Sequence, residues 1–405
     1  MVAGTSRRTI GFALLLALAA ILGPARTSAA AADGWPEPEP RQSAEWSIAL
    51  YLAADNDLEP DAWADIREIE ASLAGIEASP HVVVLFDRKG GAELIEITPA
   101  GSRTIATLGE IDTGDRATLA RFLGFAFKAY PGERTLVDLW NHGGGLRGVA
   151  WDYSTGHHLS PHDIHLAIEN AATEAKWEDR RVDLLVFDAC LMSMLEDLWE
   201  VRDVADYVVG AEVLVPDEGF PYPSILAYLA ANQSAEPRDL GSYIVDAYLE
   251  RYEKYPNNKV HLALVDEGAL GLLMDCVNDL TDSLRVRLED GFHGVIEGAR
   301  SAAQVETTMW IKDYVDLGLF AYLVAQRSGD KELLTCAQEL SAALEYALPS
   351  AGATRQGQLD KRLSNVTIYF PANGRTYLSA DYHEGTPCFL DDSNWDELLW
   401  EFYGR

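Results

Sequence analysis

The sequence predicts an α/β fold with a doubly wound, mostly parallel central sheet and an appended, mostly helical carboxyl-terminal region. Short, continuous apolar runs bounded by turn residues alternate with longer segments whose apolar residues recur at helical spacing. Such runs are typical of parallel strands covered by helices on both faces of a sheet. With 405 residues, 48% of them apolar, and a mean hydropathy of −0.08, the chain has ample material for a core.

Each predicted strand is an apolar run that stops at turn residues. The predicted strands at 93–98 and 104–108 are expected to form a hairpin around Pro99-Ala-Gly101. The predicted strands cover residues 46–52, 81–86, 93–98, 104–108, 135–140, 182–187, 207–214, 260–265 and 365–370. The strand at 260–265 is expected to be the last one in the core sheet.

The predicted helices follow from apolar spacing and from end signals. For example, Ser160 as N-cap and Pro161 at the first helical position begin one helix, and Pro131-Gly132 ends another. The predicted helices cover 58–73, 115–130, 161–175, 191–201, 222–231, 239–255 and 394–402, and helical spacing predominates from 268 to 348. We expect a main domain at 46–266 and a helical region at 267–405 packed on it.

The amino terminus has the order of a secretory signal. Arg7-Arg8 precede an apolar run from Ile10 to Leu22, and small residues at 28–32 offer a cleavage site. The run is short for a membrane span, and an uncleaved anchor is the alternative. We therefore predict a signal peptide at 1–31, a proline-rich linker at 32–45, and a secreted, periplasmic or extracellular protein with no membrane contact after signal removal.

The chain is strongly acidic, with a formal net charge of −32 and a pI of about 4.5. Nucleic-acid and anionic-membrane binding need clustered Lys and Arg, so neither class of partner is expected. A cationic partner or substrate fits the charge better. The alternative is that the acidity only keeps an exported protein soluble.

Two adjacent strand ends carry reactive residues. The strand at 135–140 stops at Asn141-His-Gly-Gly-Gly145, and the strand at 182–187 stops at Asp188-Ala-Cys190. Reactive groups of parallel sheets collect at the carboxyl ends of strands, so His142 and Cys190 are expected to be neighbours, as a thiol nucleophile and its base must be. A cysteine after an apolar strand is also typical of a buried, inert thiol.

Trp140-Asn-His-Gly-Gly-Gly145 and Phe187-Asp-Ala-Cys-Leu-Met192 resemble the motifs of the clostripain family of cysteine peptidases. Leu50-Tyr-Leu-Ala-Ala-Asp-Asn-Asp57, Leu159-Ser-Pro-His-Asp163 and Val366-Thr-Ile-Tyr-Phe-Pro371 are similar as well. The resemblance implies a caspase-like three-layer sandwich and protein or peptide substrates. The family usually has Trp shortly after the glycines, where this chain has Leu146, and we expect that change at the rim of the site.

The resemblance implies that His142 and Cys190 are the catalytic dyad. The oxyanion would be held by the backbone N–H of Cys190 and by one from Gly143 or Gly144. No Asp or Asn is obviously placed to orient the imidazole, which agrees with a dyad.

Further site residues also come from the resemblance. Asp188 would lie at the base of an acidic pocket, with Asp217 as the second carboxylate and Glu218 close behind, which predicts cleavage after Arg or Lys. Self-cleavage is expected near Lys176, Arg180 and Arg181, although a plain charged loop is the alternative reading. No cofactor or metal is required.

Calcium is possible, because some relatives use it. Asp55, Asn56, Asp57 and Glu59 are its candidate ligands, although Asp57 also suits a helix N-cap.

The remaining cysteines leave several options open, since any two of Cys276, Cys336 and Cys388 might pair. A non-catalytic surface or binding protein with the same fold is the alternative function. A serine hydrolase is disfavoured because no G-x-S-x-G motif is present.

Overall fold

The computed structural model describes residues 34–76, 79–177, 181–255, 259–305, 312–355, 363–374 and 380–404. The predicted signal peptide lies outside these residues. The strands are β1 Ala44–Ala53, β2 His81–Asp87, β3 Ala92–Thr98, β4 Gly101–Gly109, β5 Gly132–Trp140, β6 Val182–Asp188, β7 Ala205–Gly210, β8 His261–Asp266, β9 Tyr314–Asp316, β10 Ser350–Ala353 and β11 Thr367–Tyr369.

The α-helices follow most strands, as the sequence predicts. They are α1 Glu59–Leu73, α2 Arg116–Ala129, α3 Pro161–Ala175, α4 Leu195–Val201, α5 Tyr222–Ala231, α6 Pro237–Glu253, α7 Leu270–Glu289, α8 His293–Ala303, α9 Leu317–Ser328, α10 Lys331–Ala347, α11 Ala380–Gly385, α12 Pro387–Asp392 and α13 Trp395–Phe402.

Within the described residues, nine strands form one sheet in the order β10-β8-β7-β6-β5-β1-β2-β3-β4. The inner strands β7, β6, β5, β1 and β2 run parallel, whereas β3 and β4 at one edge and β8 and β10 at the other are antiparallel to their neighbours. The predicted α/β fold with a mostly parallel sheet is confirmed. The expectation that the strand at 260–265 ends the sheet is wrong, because β10 pairs with β8 outside it.

Helices cover both faces of the sheet. Alternate residues of β1 point to opposite faces, so Ala49 and Tyr51 belong to one buried cluster and Ile48 and Leu50 to the other. The first cluster includes apolar residues of α2, α3, α4 and α7 to α10, and the second those of α1, α5 and α6. The result is a three-layer sandwich.

The carboxyl-terminal region reaches the ends of the central strands. Its strands β9 and β11 form a separate two-stranded sheet, and Thr367 donates its backbone N–H to the Ser193 carbonyl at 2.9 Å. Tyr314, on β9, donates its hydroxyl to the Gly144 carbonyl. The segments after both predicted catalytic motifs are therefore held in part by residues far along the chain.

Two predicted elements are shorter in the structure than the sequence suggests. The helix predicted from 191 begins only at Leu195, and the strand predicted to 214 ends at Gly210. Both differences have one cause, because residues 191–193 pair with residues 211–213 through backbone bonds of 3.1 Å from Leu191 to Val213 and from Ser193 to Ala211. Leu191 has φ of +68°, which turns the chain sharply after Cys190.

No helix in the described ranges is long and apolar enough to cross a membrane.

Candidate active site

Strand register aligns the two predicted catalytic motifs. In the parallel pair β5 and β6, Trp140 lies opposite Asp188. His142 and Cys190 each follow two residues later, so both leave the sheet at its carboxyl edge and at the same level. The shared edge is the one that the sequence predicts, and the contact between imidazole and thiol stays a prediction.

Glycine allows the two strand ends to touch through their backbones. A Cβ atom on Gly143 would lie 2.2 Å from the carbonyl oxygen of Cys190 and 3.0 Å from the Cβ of Ala189. No side chain fits in that space. Gly145 is similarly constrained, with φ of +62° and the sulfur of Met194 2.2 Å from where its Cβ would be.

Asp57 orients the histidine. Its Oδ1 lies 2.9 Å from Nε2 of His142, and the hydroxyl of Tyr153 also hydrogen-bonds to the same carboxylate. The Tyr153 ring lies nearly parallel to the imidazole, at 6.4 Å between centroids. Desolvation raises the pKa of Asp57, but the hydrogen bond and charge of His142 outweigh it and lower that pKa below its usual value.

The two sequence-based expectations for this part of the site are therefore wrong. A carboxylate does orient the imidazole, and Asp57 does not cap α1, whose N-cap position is Leu58 without a side-chain cap. Asp57 is identifiable in the sequence as an acidic residue just after β1. Its role depends on β1 lying beside β5, with Leu52 opposite Trp140, and strand order is not readable from the sequence.

Two asparagines hold the turn that carries Asp57. The side-chain amide of Asn56 donates to the carbonyls of Ala53 and Trp151 at 2.9 and 3.0 Å. The amide of Asn141 donates to the Ala53 carbonyl, and its oxygen accepts the Trp151 N–H at 3.0 Å. The turn after β1 is thus tied to the segment after the histidine loop.

The Cys190 thiol is half-buried and faces Val215. The Val215 N–H lies 3.3 Å from Sγ, and Sγ lies 3.7 Å from the Val215 carbonyl. Desolvation raises the pKa of the Cys190 thiol to about 11, with a smaller contribution from the charges of Asp217 and Asp188. The thiol is therefore protonated in this conformation at neutral pH.

The backbone donors near the thiol differ in availability. Gly144 donates its N–H to the Gly148 carbonyl at 2.9 Å, so it is already engaged. The N–H groups of Gly143 and Cys190 find no backbone acceptor within the described ranges. Of the two glycines that the sequence leaves open as oxyanion donors, the geometry favours Gly143.

Asp188 is buried beneath the segment that follows Pro216. It accepts hydrogen bonds from the Phe220 N–H at 2.9 Å and the Tyr222 hydroxyl at 3.1 Å. Its Oδ2 lies 2.7 Å from where a Cβ of Gly219 would be. Desolvation raises the pKa of Asp188 to about 7, although the two hydrogen bonds and the charge of Arg251 act to lower it.

Two more carboxylates lie near Asp188. Tyr222 also donates to Asp138 at 2.9 Å, and desolvation followed by the charge of Asp188 raises the pKa of Asp138 well above its usual value. Desolvation, then the charge of Asp188, raises the pKa of Asp65 to about 9. Sequence reasoning missed Asp65 and Asp138, whose only signal is an acidic residue within an otherwise apolar pattern.

The other predicted pocket residues lie on the covering segment. Asp217 and Glu218 are exposed, and the Glu218 carbonyl accepts a hydrogen bond from Arg251 at 3.1 Å. Leu146, which the sequence analysis places at the rim, is instead buried, with 2% of its surface exposed.

Of the predicted self-cleavage residues, Lys176 and Arg181 lie before β6, at the sheet edge opposite Cys190. Lys176 ends α3 with φ of +61°, and Arg180 lies outside the described residues. Arg181 is paired with Asp206 at 2.5 Å and donates to the Arg202 carbonyl at 2.8 Å.

The predicted calcium ligands do not come together. Asp57 faces His142 and Asn56 binds backbone carbonyls, as described above. Asp55 instead lies with Glu110 and Asp152, and one oxygen of each is within 4.8 Å of the others. All four cysteine thiols of the chain are free in the structure.

Comparison with known proteins gives concordant matches. Residues 50–401 match the sequence model of the Clostripain family. Clostripain from Hathewaya histolytica is 25% identical over a region that covers 48% of this chain and 44% of that relative, so the match spans less than half of the relative's length.

Two solved structures share the fold. One is a secreted C11 cysteine protease from Bacteroides thetaiotaomicron in complex with an irreversible peptide inhibitor, with a TM-score of 0.66, 18% identity, and coverage of 86% of this chain and 99% of that one. The other is an inactive zymogen C11 protease from Parabacteroides distasonis, with a TM-score of 0.65, 18% identity, and coverage of 87% and 99%.

The raised pKa of Cys190 predicts how the rate of its alkylation by iodoacetamide depends on pH. Because burial raises its pKa to about 11, labelling of resting protein should be slow at pH 7 and should rise steeply only above about pH 9. Peptide mass spectrometry measures the labelled fraction of Cys190 over time at each pH. Glutathione, whose thiol is exposed, is the reference. A labelling plateau already reached at pH 7 would contradict the environment described.

Proposed function

The chain belongs to the clostripain family of cysteine peptidases, and on that premise we propose that it is an exported endopeptidase that cleaves after Arg or Lys, with Cys190 as nucleophile and His142 as base. The observation that carries the proposal is the direct packing of the Gly143 backbone on Cys190 at the common edge of β5 and β6. An intact thiol and imidazole at that edge favour an enzyme over a non-catalytic binding protein of the same fold.

The pKa of the Cys190 thiol in this conformation distinguishes two ways in which His142 could activate it. A stable thiolate and imidazolium pair requires a low thiol pKa, whereas burial raises that of Cys190 to about 11. We therefore infer that His142 removes the proton during attack. Nε2 of His142 faces Asp57 at 2.9 Å, which supports proton transfer at Nδ1 and leaves Asp57 to stabilise the imidazolium.

The reaction then follows the chemistry of acyl transfer. Sγ of Cys190 attacks the scissile carbonyl carbon, and the oxyanion is held by the N–H groups of Gly143 and Cys190. His142 returns its proton to the leaving amine as the C–N bond breaks. Water, deprotonated by His142, hydrolyses the thioester and restores the thiol.

Substrate must displace the segment from Val215 to Tyr222. That segment holds the thiol through Val215 and covers Asp188 through Gly219, Phe220 and Tyr222. Once it moves, Asp188 would meet the guanidinium or ammonium of the substrate, and Asp217 would lie at the mouth. A cation beside Asp188 offsets the cost of its burial as a charge, which is the physical basis of the proposed Arg or Lys preference.

We expect self-cleavage to occur between two molecules, so that one copy of the enzyme cuts another. β6 spans seven residues, or about 23 Å, and it separates Lys176 and Arg181 from Cys190. The active site of one molecule therefore cannot reach these residues of the same molecule unless the sheet rearranges. Arg181 is also held in an ion pair, so Lys176 and Arg180 are the better candidates for the cut.

Calcium, if used, would bind Asp55, Glu110 and Asp152 rather than the set predicted from the sequence. The residues fit such an ion, because Oδ2 of Asp55 is buried and accepts no hydrogen bond within the described ranges, and hard carboxylate oxygens suit calcium. The ion would neutralise carboxylates next to the turn that carries Asp57. No step of the reaction passes through it.

A cleavage profile on a peptide library tests the substrate preference. We expect cleavage after Arg and Lys, and Asp188→Asn should lower kcat/KM by roughly 30- to 1,000-fold, equivalent to about 2–4 kcal/mol, because it removes the buried partner charge. Since a cation binds ionised Asp188, kcat/KM should rise with pH through about 7. Glu345→Gln, at an exposed position on α10, is the control, and an equal loss there or a preference for acidic residues would refute the pocket.

Mixing experiments test the self-cleavage proposal. Intact Cys190→Ala protein should be cut near Lys176 or Arg180 when wild-type enzyme is added, at a rate proportional to enzyme concentration. Cys190→Ala alone should stay intact on a denaturing gel. Cleavage of wild type at a rate independent of its concentration would show an intramolecular cut instead.

Thermal unfolding with added calcium tests the acidic site. At a hundredfold excess over Kd, calcium should stabilise the protein by about 2.7 kcal/mol, and Asp55→Asn should abolish the shift in Tm. Glu59→Gln should keep it, because Glu59 is not in the cluster. An unchanged Tm in wild type, or an equal shift in both variants, would rule the site out.

A further inference from the structure

A second group of metal-ligand side chains lies away from the proposed active site. One donor atom from each of His162, Glu200 and Cys388 lies within 4.8 Å of the other two. The residues come from α3, from α4 and from the helix Pro387–Asp392, which are far apart in the sequence. The reaction proposed above uses none of them.

The geometry of this group is close to that of a bound ion. Nδ1 of His162 lies 2.9 Å from Oε2 of Glu200, whereas two such ligands on one tetrahedral zinc ion are about 3.4 Å apart. A shift of about half an ångström would therefore convert the hydrogen bond into a shared ion.

Neighbouring groups fix the ligands. The other carboxylate oxygen of Glu200 accepts the Phe389 N–H at 2.9 Å, and the Glu200 side chain is fully buried. Nδ1 of His165 lies 2.7 Å from the Glu200 carbonyl. The Phe389 contact orients the carboxylate before any metal arrives, and the His165 contact holds the backbone of Glu200.

We propose that His162, Glu200 and Cys388 bind a divalent cation of the zinc class, with water in the fourth position. Imidazole nitrogen, carboxylate oxygen and thiolate sulfur are a ligand set that zinc accepts and that calcium and magnesium do not. The ion ties the carboxyl-terminal helix at Pro387–Asp392 to α3 and α4, the helices that follow the His142 and Cys190 motifs.

Charge balance supports this assignment. Binding releases the thiol proton of Cys388 to solvent, and one thiolate with one carboxylate neutralises a divalent ion. The neighbouring guanidinium of Arg202 is compensated by Asp392, whose Oδ2 lies 3.1 Å away.

Cobalt(II) titration tests the site through its thiolate. The full chain carrying Cys190→Ala, which removes the proposed nucleophile, should bind one equivalent of Co²⁺ with a thiolate-to-cobalt absorption in the near ultraviolet, and Zn²⁺ should displace it. Adding Cys388→Ser should abolish this absorption. Adding Cys276→Ser, the matched control at another half-buried thiol, should leave it intact.

Two further measurements hold even if Cys388→Ser fails to fold. In the Cys190→Ala chain, one equivalent of Zn²⁺ should protect Cys388 but not Cys276 from iodoacetamide, and His162→Gln should weaken Co²⁺ binding by at least about tenfold. No thiolate absorption, absorption that survives Cys388→Ser in folded protein, or equal alkylation of Cys388 with and without Zn²⁺ would overturn the proposal.

Discussion

The parallel pairing of β5 with β6 is the constraint on which the site depends. Because Trp140 lies opposite Asp188, the two chain segments leave the sheet at one level, and Gly143 packs on the backbone of Cys190. A shift of one residue would turn every side chain of a strand to the other face. The apolar core on both faces therefore fixes the register, and the register brings the segments that carry His142 and Cys190 to the same edge of the sheet.

The same edge of the sheet concentrates buried carboxylates. Asp138 and Asp188 both accept a hydrogen bond from Tyr222, and the charge of Asp188 also acts on Asp65. Asp55, Asp87 and Asp152 form a second buried group, in which the charges of Asp152 and Asp55 act on Asp87. Desolvation raises the pKa of Asp87 to about 8, with the charges of its acidic neighbours adding to it. Buried carboxylates without cationic partners cost stability, so both groups gain when a cation arrives. In a chain with a net charge of −32, the proposed substrate pocket and the proposed calcium site would each bring a cation to such carboxylates.

Much of the fold is readable from the sequence because each central strand is a continuous apolar run. The alignment of His142 with Cys190 is also readable, since each follows such a run at the same offset. The role of Asp57 is not, because it needs β1 beside β5, and strand order is a property of the whole fold. The early end of β7 and the late start of α4 both arise from pairing between residues 191–193 and 211–213, which no local pattern records. The edge strand β10 is short and lacks an apolar run, and only its pairing with β8 defines it.

The proposed reaction requires that the thiol of Cys190 is the reacting group and that His142 activates it. A peptide ending in an arginine acyloxymethyl ketone, which alkylates a cysteine only after binding as a substrate does, tests this claim by intact and peptide mass spectrometry. The account predicts one adduct, on Cys190, and a labelling rate at least about 100-fold lower in His142→Ala. An adduct on another cysteine, or a rate unchanged by His142→Ala, would contradict it.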